Sequence, residues 1–414
     1  MAPTTKRRRS APPSSIPEEI LVSDVLARLP VKSLLRFRSV CWSWRAANDD
    51  PRFVRRHLEL SSARPPSVVD VPCEPRLEQY WTEARSSKDQ PLEFRRIWPG
   101  GLGGEPTAEL MHAVTCSITA VTHPVHCDGM VLVPTTSGEL FLSNPATREF
   151  VRLPRGSPTT VFVENPVAFG FDPWSGTYKV ARCFYRCFEM EESDDDGHVE
   201  VEYDVGHEVL MLGGTSPSWE ETNDPPHAIM PTRPICTRGN FYWTAVVGRA
   251  DEPRPMELLR FCLRDETFHV VPNPPCFVDT EIAGVIGDRD TLTELTGRLC
   301  CAHVCAQCFY VDIWLANDDG PCLDWYVAYN IELLRPVQHS VLPLAVIDGD
   351  DVLLSVDRNT LYRYKATTGT LHKVVDMQRA PDFYAAPKPP RNPFIFLHHA
   401  VPYVESLVSI QSSM

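Results

Sequence analysis

Two patterns of apolar and polar positions divide this chain. Between Ser15 and Leu60 apolar residues recur at intervals of three and four, the spacing of helices with one greasy face. From about His112 onward they alternate in short runs separated by polar turns of four or five residues, the spacing of strands. In the first region Ser15-Ile16-Pro17-Glu18 reads as a capping box, with Pro17 in the first turn where its missing N–H costs nothing. Leu21, Val22, Val25, Leu26 and Leu29 then gather on one arc, opposite Ser23, Asp24, Ala27 and Arg28, and Pro30 stops this helix. A second short helix starts at Val31 and carries Leu34, Leu35, Phe37 and Val40. Cys41, Trp42 and Trp44 predict a third, and Asp49-Asp50-Pro51 a helix start leading into Phe53, Val54 and Leu58. So small a unit cannot bury all its apolar residues, and surface left over calls for a partner.

In the second region "LFLSNPATREFVRLP", "FGFDPWSGTYKVAR", "LRFCLRDETFHVVP" and "LYRYKATTGTLHKVV" each read as a hairpin. Their turns fall at Asn144-Pro145, Asp172-Pro173, Arg264-Asp265 and Thr368-Gly369. Further strands are expected in "HEVLML", "GNFYWTAV", "GRLCCAHV", "FYVDIWLA", "DWYVAYNI" and "DVLLSV". The spacing suits four-stranded blades of a β-propeller, although the same hairpins can also pair into a sandwich of two facing sheets. The fold class expected is α+β multidomain: a small helical module, then an all-β, irregular, propeller-like domain. The divisions expected are a basic tail at 1–14, helices at 15–60, a linker and first irregular segment at 61–110, the β-domain at 111–385 and a C-terminal segment at 386–414.

The residues of the helical unit resemble the F-box motif. Ile16-Pro17-Glu18-Glu19-Ile20-Leu21, Leu29-Pro30-Val31-Lys32-Ser33-Leu34-Leu35-Arg36-Phe37-Arg38-Ser39-Val40-Cys41 and Trp44-Arg45 carry the likeness, with Trp42-Ser43 where the family pattern has a lysine. The resemblance implies docking on a Skp-family adaptor and, through it, on the cullin and RING subunits of a ubiquitin ligase. Ile16, Pro17, Leu26, Leu29, Pro30, Leu34, Leu35, Val40, Cys41 and Trp44 are then the adaptor-binding residues. The β-region resembles the F-box-associated, kelch-like region of plant F-box proteins. Its carriers are Asn144-Pro145-Ala146-Thr147-Arg148, Phe169-Gly170-Phe171-Asp172-Pro173 with Tyr178-Lys179-Val180, Gly239-Asn240-Phe241-Tyr242-Trp243, and Val311-Asp312-Ile313-Trp314 with Trp325. The two resemblances together imply a non-catalytic substrate receptor, its β-domain holding an unknown target protein for ubiquitination on loops at 194–204 and 216–226.

Composition narrows the alternatives. A net charge of −14 argues against nucleic acid as partner, and the single basic run, Lys6-Arg7-Arg8-Arg9, lies in a Pro/Ser-flanked tail. No stretch reaches the roughly 20 apolar residues of a membrane helix, and no secretory signal is expected. The 14 cysteines then read as reduced thiols of a cytoplasmic or nuclear protein. "CCAHVCAQC" places Cys305 and Cys308 at CxxC spacing with Cys301 and His303 nearby, but all within one short stretch, so a strand is expected rather than a zinc site. "MEESDDDGHVEVEYD" opens like a calcium loop but has Tyr203 where the bidentate glutamate belongs, and reads as an acidic loop. His123, His126 and Asp128 lack a nucleophile and read as turn residues. No cofactor, metal or catalytic residue is expected. The alternative function is a propeller enzyme or carbohydrate reader whose helices only cap the fold.

Overall fold

A computed structural model describes residues 21–73, 91–100, 105–116, 118, 120–160, 166–192, 199–213, 217–246, 256–277, 290–305, 309–317, 323–377 and 397–410. Three α-helices, α1 (Val31–Phe37), α2 (Trp42–Asp49) and α3 (Pro51–Ser62), follow two irregular helical turns, Leu21–Val25 and Leu26–Arg28. The first of these is wide and the second tight, which shifts the helical phase. Ala27, expected on the polar face, is therefore fully buried, while Val25, expected on the apolar arc, is 44% exposed. Helix α3 starts where the sequence predicts: Pro51 occupies its first turn and the Asp50 carboxylate accepts the Arg52 N–H at 2.8 Å. The capping box at Ser15 lies outside the described residues.

The β-region is a propeller of six antiparallel sheets. The second to sixth blades follow the chain in order, each beginning at its innermost strand: Val125–Cys127, Val167–Asp172, Ile235–Thr237, Thr291–Leu295 and Val341–Ile347. The first blade joins Ser67–Cys73, Pro91–Trp98 and Thr107–Thr115 to Leu397–Tyr403, the last strand of the chain, which is its innermost. Each inner strand touches the next around the ring, and Val341–Ile347 touches Leu397–Tyr403, which touches Val125–Cys127, so the ring is closed. The sandwich is thereby excluded. The segment at 61–110, expected as a linker and first irregular segment, holds Ser67–Cys73, Pro91–Trp98 and the start of Thr107–Thr115, and the segment at 386–414 holds the strand that closes the ring. Their alternation, as in Val69 and Val71 or Leu92 and Phe94, is cut short by surrounding Pro and Gly, which hides it at a glance.

The four hairpin turns fall where the sequence places them, and physical chemistry explains why. Asn144 Oδ1 accepts the Ala146 N–H at 3.1 Å, and Asp172 Oδ1 accepts the Trp174 N–H at 2.9 Å, so each side chain folds the backbone back on itself. The fourth turn residue is left-handed in all four, at Arg148, Gly176, Glu266 and Gly369. Between blades lie dry clusters, such as Phe241, Trp243 and Phe261 with Ala181 and Cys183. The acidic loop expected at 194–204 is in part a ladder: Val199–Leu212 pairs along Thr177–Glu192, from Val199 opposite Glu192 downward. Its sequence alternates Val199, Val201 and Tyr203 with Glu200, Glu202 and Asp204, a strand period that its acidity masks.

Candidate partner-docking site

The helical unit sits on the face of the propeller where the inner strands end. Its core is Leu26, Ala27, Val31, Leu34 and Phe53, and this is completed by Leu407 from the segment that follows the closing strand. Helix α3 is the keystone between the two parts. Phe53 points into the helical core, whereas Val54 and Leu58 pack on a propeller cluster that includes Val408 and Ile410.

Polar bonds fix the same junction. Asn144, besides making its turn, donates from Nδ2 to the carbonyls of Ser406 (3.2 Å) and Val408 (2.7 Å). Ser406 packs so closely on Gly129 that a Cβ there would lie 2.4 Å from the serine Oγ, and Gly129 also holds a φ of +87°. Glu405 takes Arg96 at 3.0 Å and Arg64 at 3.3 Å, and the Arg64 guanidinium in turn donates to the Arg28 carbonyl. The Leu29-Pro30 corner is held from behind by the His57 ring, whose Nε2 lies 3.0 Å from the Leu29 carbonyl oxygen. Burial lowers the His57 pKa, so the ring is the neutral donor in that bond. Asn48, 5% exposed, donates to the Leu34 carbonyl at 2.9 Å.

This geometry sorts the residues expected to meet an adaptor. Leu26 and Leu34, at 2% and 0% exposed, are core residues of the helical unit, sealed by Phe53 and Leu407, and have no surface to offer; this corrects the expectation for those two. Leu29, Leu35 and Trp44 are half-buried, and Trp44 meets Phe37 edge-on with ring centroids 5.4 Å apart. Pro30, Val40 and Cys41 are exposed. Ile16 and Pro17 lie outside the described residues. Two residues absent from the expected set complete the outer surface: Trp42, 83% exposed, and Val25. An aromatic at a helix start with no apolar position paired to it inside the unit was the available signal for Trp42.

Elsewhere the candidate chemistry resolves into structure. Cys300 and Cys301 are fully buried in the strand Arg298–Cys305, and a hydrogen bond with Cys276 raises the Cys301 thiol, as does its burial. His303 pairs with Asp290 at 3.0 Å, a partner that raises it to about 9. Cys308 lies outside the described residues; among those described, no group of three or more His, Cys, Asp and Glu is arranged to hold a metal ion. Asp128 accepts the Tyr178 hydroxyl at 3.0 Å and has a left-handed φ of 49°, and is a turn residue; His126, expected in a turn, lies instead in the strand Val125–Cys127, where its Nε2 accepts the Gly129 N–H at 2.9 Å. No described helix is long and apolar enough to cross a membrane.

Comparison with known proteins agrees with this division. Residues 13–56 match the F-box domain, and residues 105–341, more than half of the chain, match the F-box associated beta propeller domain. The chain is similar to F-box protein At2g43440 of Arabidopsis thaliana, 24% identical over 282 residues, which cover 67% of this chain and 58% of that protein, less than two thirds of its length. F-box/LRR-repeat protein At2g43260 of the same plant is 26% identical over 83% of this chain and 75% of its own. F-box/kelch-repeat protein At2g43445, also from Arabidopsis thaliana, is 24% identical over 84% and 76%. With helices that match the one domain and a six-bladed ring that matches the other, the chain belongs to the F-box proteins that carry an F-box-associated β-propeller.

Proposed function

We propose that this protein is the substrate-recognition subunit of a Skp–cullin–F-box ubiquitin ligase. Its helical unit docks the Skp-family adaptor, and its propeller holds a target protein. The observation that carries the reading is the apolar surface of the helical unit: Trp42 at 83%, Val40 at 61% and Val25 at 44% exposed, beside exposed Pro30 and Cys41. A monomer gains nothing from leaving a tryptophan in water, and covering a side chain of this size contributes about 1.5–3 kcal/mol. The docking set is then Leu29, Pro30, Leu35, Val40, Cys41 and Trp44 with Val25 and Trp42, joined by Ile16 and Pro17. Binding needs no charged or catalytic group, and the bond-making belongs to other subunits, which act on a target held nearby.

The structure makes the test cleaner, because Val40 and Trp42 are exposed and can be changed without touching the core. Co-purification of a Skp-family adaptor with the full chain is expected, and Val40→Asp with Trp42→Ala is expected to weaken it at least tenfold while the melting temperature stays within about 2 °C. Retention of the adaptor by the double variant, or no association with the wild type, would rule the docking surface out.

A further inference from the structure

Where the fifth blade meets the sixth, a groove of about 530 Å³ opens beside the outer strand Asp324–Glu332. Tyr326, Val327 and Tyr329 of that strand and Leu315 of its neighbour form one wall, and Tyr364 and Asp350 of the sixth blade form the other. Tyr326 and Val327 are 41% and 45% exposed. The local pattern explains how tyrosines collect here. Alternation sends Trp325 toward the fourth blade, where its indole N–H donates to the Pro272 carbonyl at 2.9 Å, and Tyr326 the other way. Tyr329 then pairs with Ile313 and Val327 with Trp314, so Ala328 is an extra residue, and both Ala328 and Tyr329 turn to the sixth blade.

The rings are held in place. Tyr329 and Tyr364 pack on the apolar cluster between the two blades and meet at 82°, with centroids 6.2 Å apart. The Tyr364 hydroxyl donates to the Asn330 carbonyl at 3.5 Å, and the Tyr326 hydroxyl accepts Arg298 at 2.7 Å.

Charge in the groove is one-sided. Three aspartates, Asp348, Asp350 and Asp351, follow the inner strand Val341–Ile347 in one turn. Arg363 donates to Asp348 at 2.8 Å and to Asp351 at 2.6 Å. Asp350 is left exposed, with no hydrogen bond or ion pair to another described residue. No lysine or arginine is among the residues that line the groove, and Arg298, bound to the Tyr326 oxygen, is the cation beside it.

We infer that this groove receives a lysine or arginine side chain of a bound protein, its charge opposite Asp350 and its body against the rings of Tyr329 and Tyr364. An aromatic face attracts a cation, and two rings at right angles make a corner that encloses one on two sides, where a sugar would need a flat platform. The overall charge of −14 draws the same class of partner. The inference rests on the reading of the propeller as the part that holds a target, and adds what that target presents.

The test titrates the full chain, labelled with 3-fluorotyrosine, with Nα-acetyl-arginine amide, Nα-acetyl-lysine amide and the uncharged citrulline counterpart. The fluorine resonances of Tyr329 and Tyr364, assigned by Tyr→Phe substitution, are expected to shift with a cation and to stay still with citrulline; the two cation affinities then say which side chain the groove prefers. Asp350→Asn is expected to keep the wild-type melting temperature and to weaken binding by about threefold or more, as is Tyr329→Leu, which leaves an apolar body on the cluster. No shift with either cation, an equal shift with citrulline, or an affinity unchanged in Asp350→Asn would each overturn the assignment, and a shift with cellobiose alone would give the groove to a sugar instead. No adaptor is present, so failure here leaves the docking surface untouched. Failure of the target reading looks different: the small cations bind, but crosslinking to the full chain captures no protein through the groove, which overturns a protein as their source.

Discussion

In the propeller, Trp243, Tyr242, Phe94 and Phe169 are each under 2% exposed, in sheets whose last strand closes the ring. In the helical unit Trp42 stands in solvent and Leu34 is sealed only with the help of Leu407, a residue from the far end of the chain. The difference follows from size. A closed ring of six sheets buries its apolar faces between blades, whereas α1 to α3 are too few to enclose both their own core and their outer surface. The helical unit therefore borrows on two sides: inward from the C-terminal segment, and outward, in the reading proposed here, from another protein. One consequence is orientation. With Glu405, Leu407, Val408 and Ile410 spanning the junction, the helices are fastened to the face of the propeller where the inner strands end.

The sharpest way to break the comparison is to remove the borrowed residue. Leu407→Ala leaves a cavity beside Leu34 and Phe53 and is expected to cost about 2–4 kcal/mol, felt in the helices and not in the ring. Amide exchange read residue by residue is the measurement: protection should fall across 21–62 while the propeller strands keep theirs. Equal loss in both regions would mean that they unfold as one unit, and no loss in the helices would mean that they need no support from the C-terminal segment.

The second effect belongs to the ring. His207 is fully buried against Phe261 and Phe268, with centroids 4.4 and 4.9 Å away, and burial lowers its pKa to about 3. Below the unfolded value of 6.5 the unfolded chain binds a proton that the folded ring refuses, so stability falls with falling pH, by roughly 2 kcal/mol for this group at pH 5. His126, lowered to about 4, acts in the same direction. His303, raised to about 9, acts oppositely: its contribution is complete below 6.5 and is lost as pH rises through 9. Melting of the propeller is thus expected to peak near neutral pH, and His207→Gln, which does not titrate, to flatten the acid limb. An acid limb unchanged in that variant would show that other groups set it.

How much of this was legible differs between the two regions for a physical reason. The helical unit is written in local signals: Pro30 ends one helix, Asp50 and Pro51 start another, and the apolar residues exceed what the unit can cover. Burial partners from far along the chain leave no local signal, so nothing near Leu34 announces Leu407, and Leu26 and Leu34 read as surface until the fold assigned them inward. In the propeller the turns were legible because Asn144 and Asp172 shape their own backbone. The blade was harder to see, since the turn at Asp172 joins the first and second strands of its blade while those at Asn144, Arg264 and Thr368 join the third and fourth. The recurring sequence unit is the hairpin, and its spacing is accordingly uneven.

The smallest effect sharpens what holds the two regions together. Besides the buried junction, an ion pair crosses between them at the surface, Lys32 of α1 to Glu109 of the first blade, 2.7 Å apart with side chains 62% and 43% exposed. Water screens such a pair, and ordering two long side chains offsets most of its attraction, so Lys32→Ala is expected to change stability by less than about 0.5 kcal/mol. Amide exchange of 31–37 in the variant, at low and high salt, measures it directly. If protection there drops as far as in Leu407→Ala, the surface pair and not the buried leucine fastens the helices. If it holds, the contrast between the two substitutions assigns the junction to apolar burial, the same force that on the opposite side of the helical unit leaves Val40 and Trp42 in need of a partner.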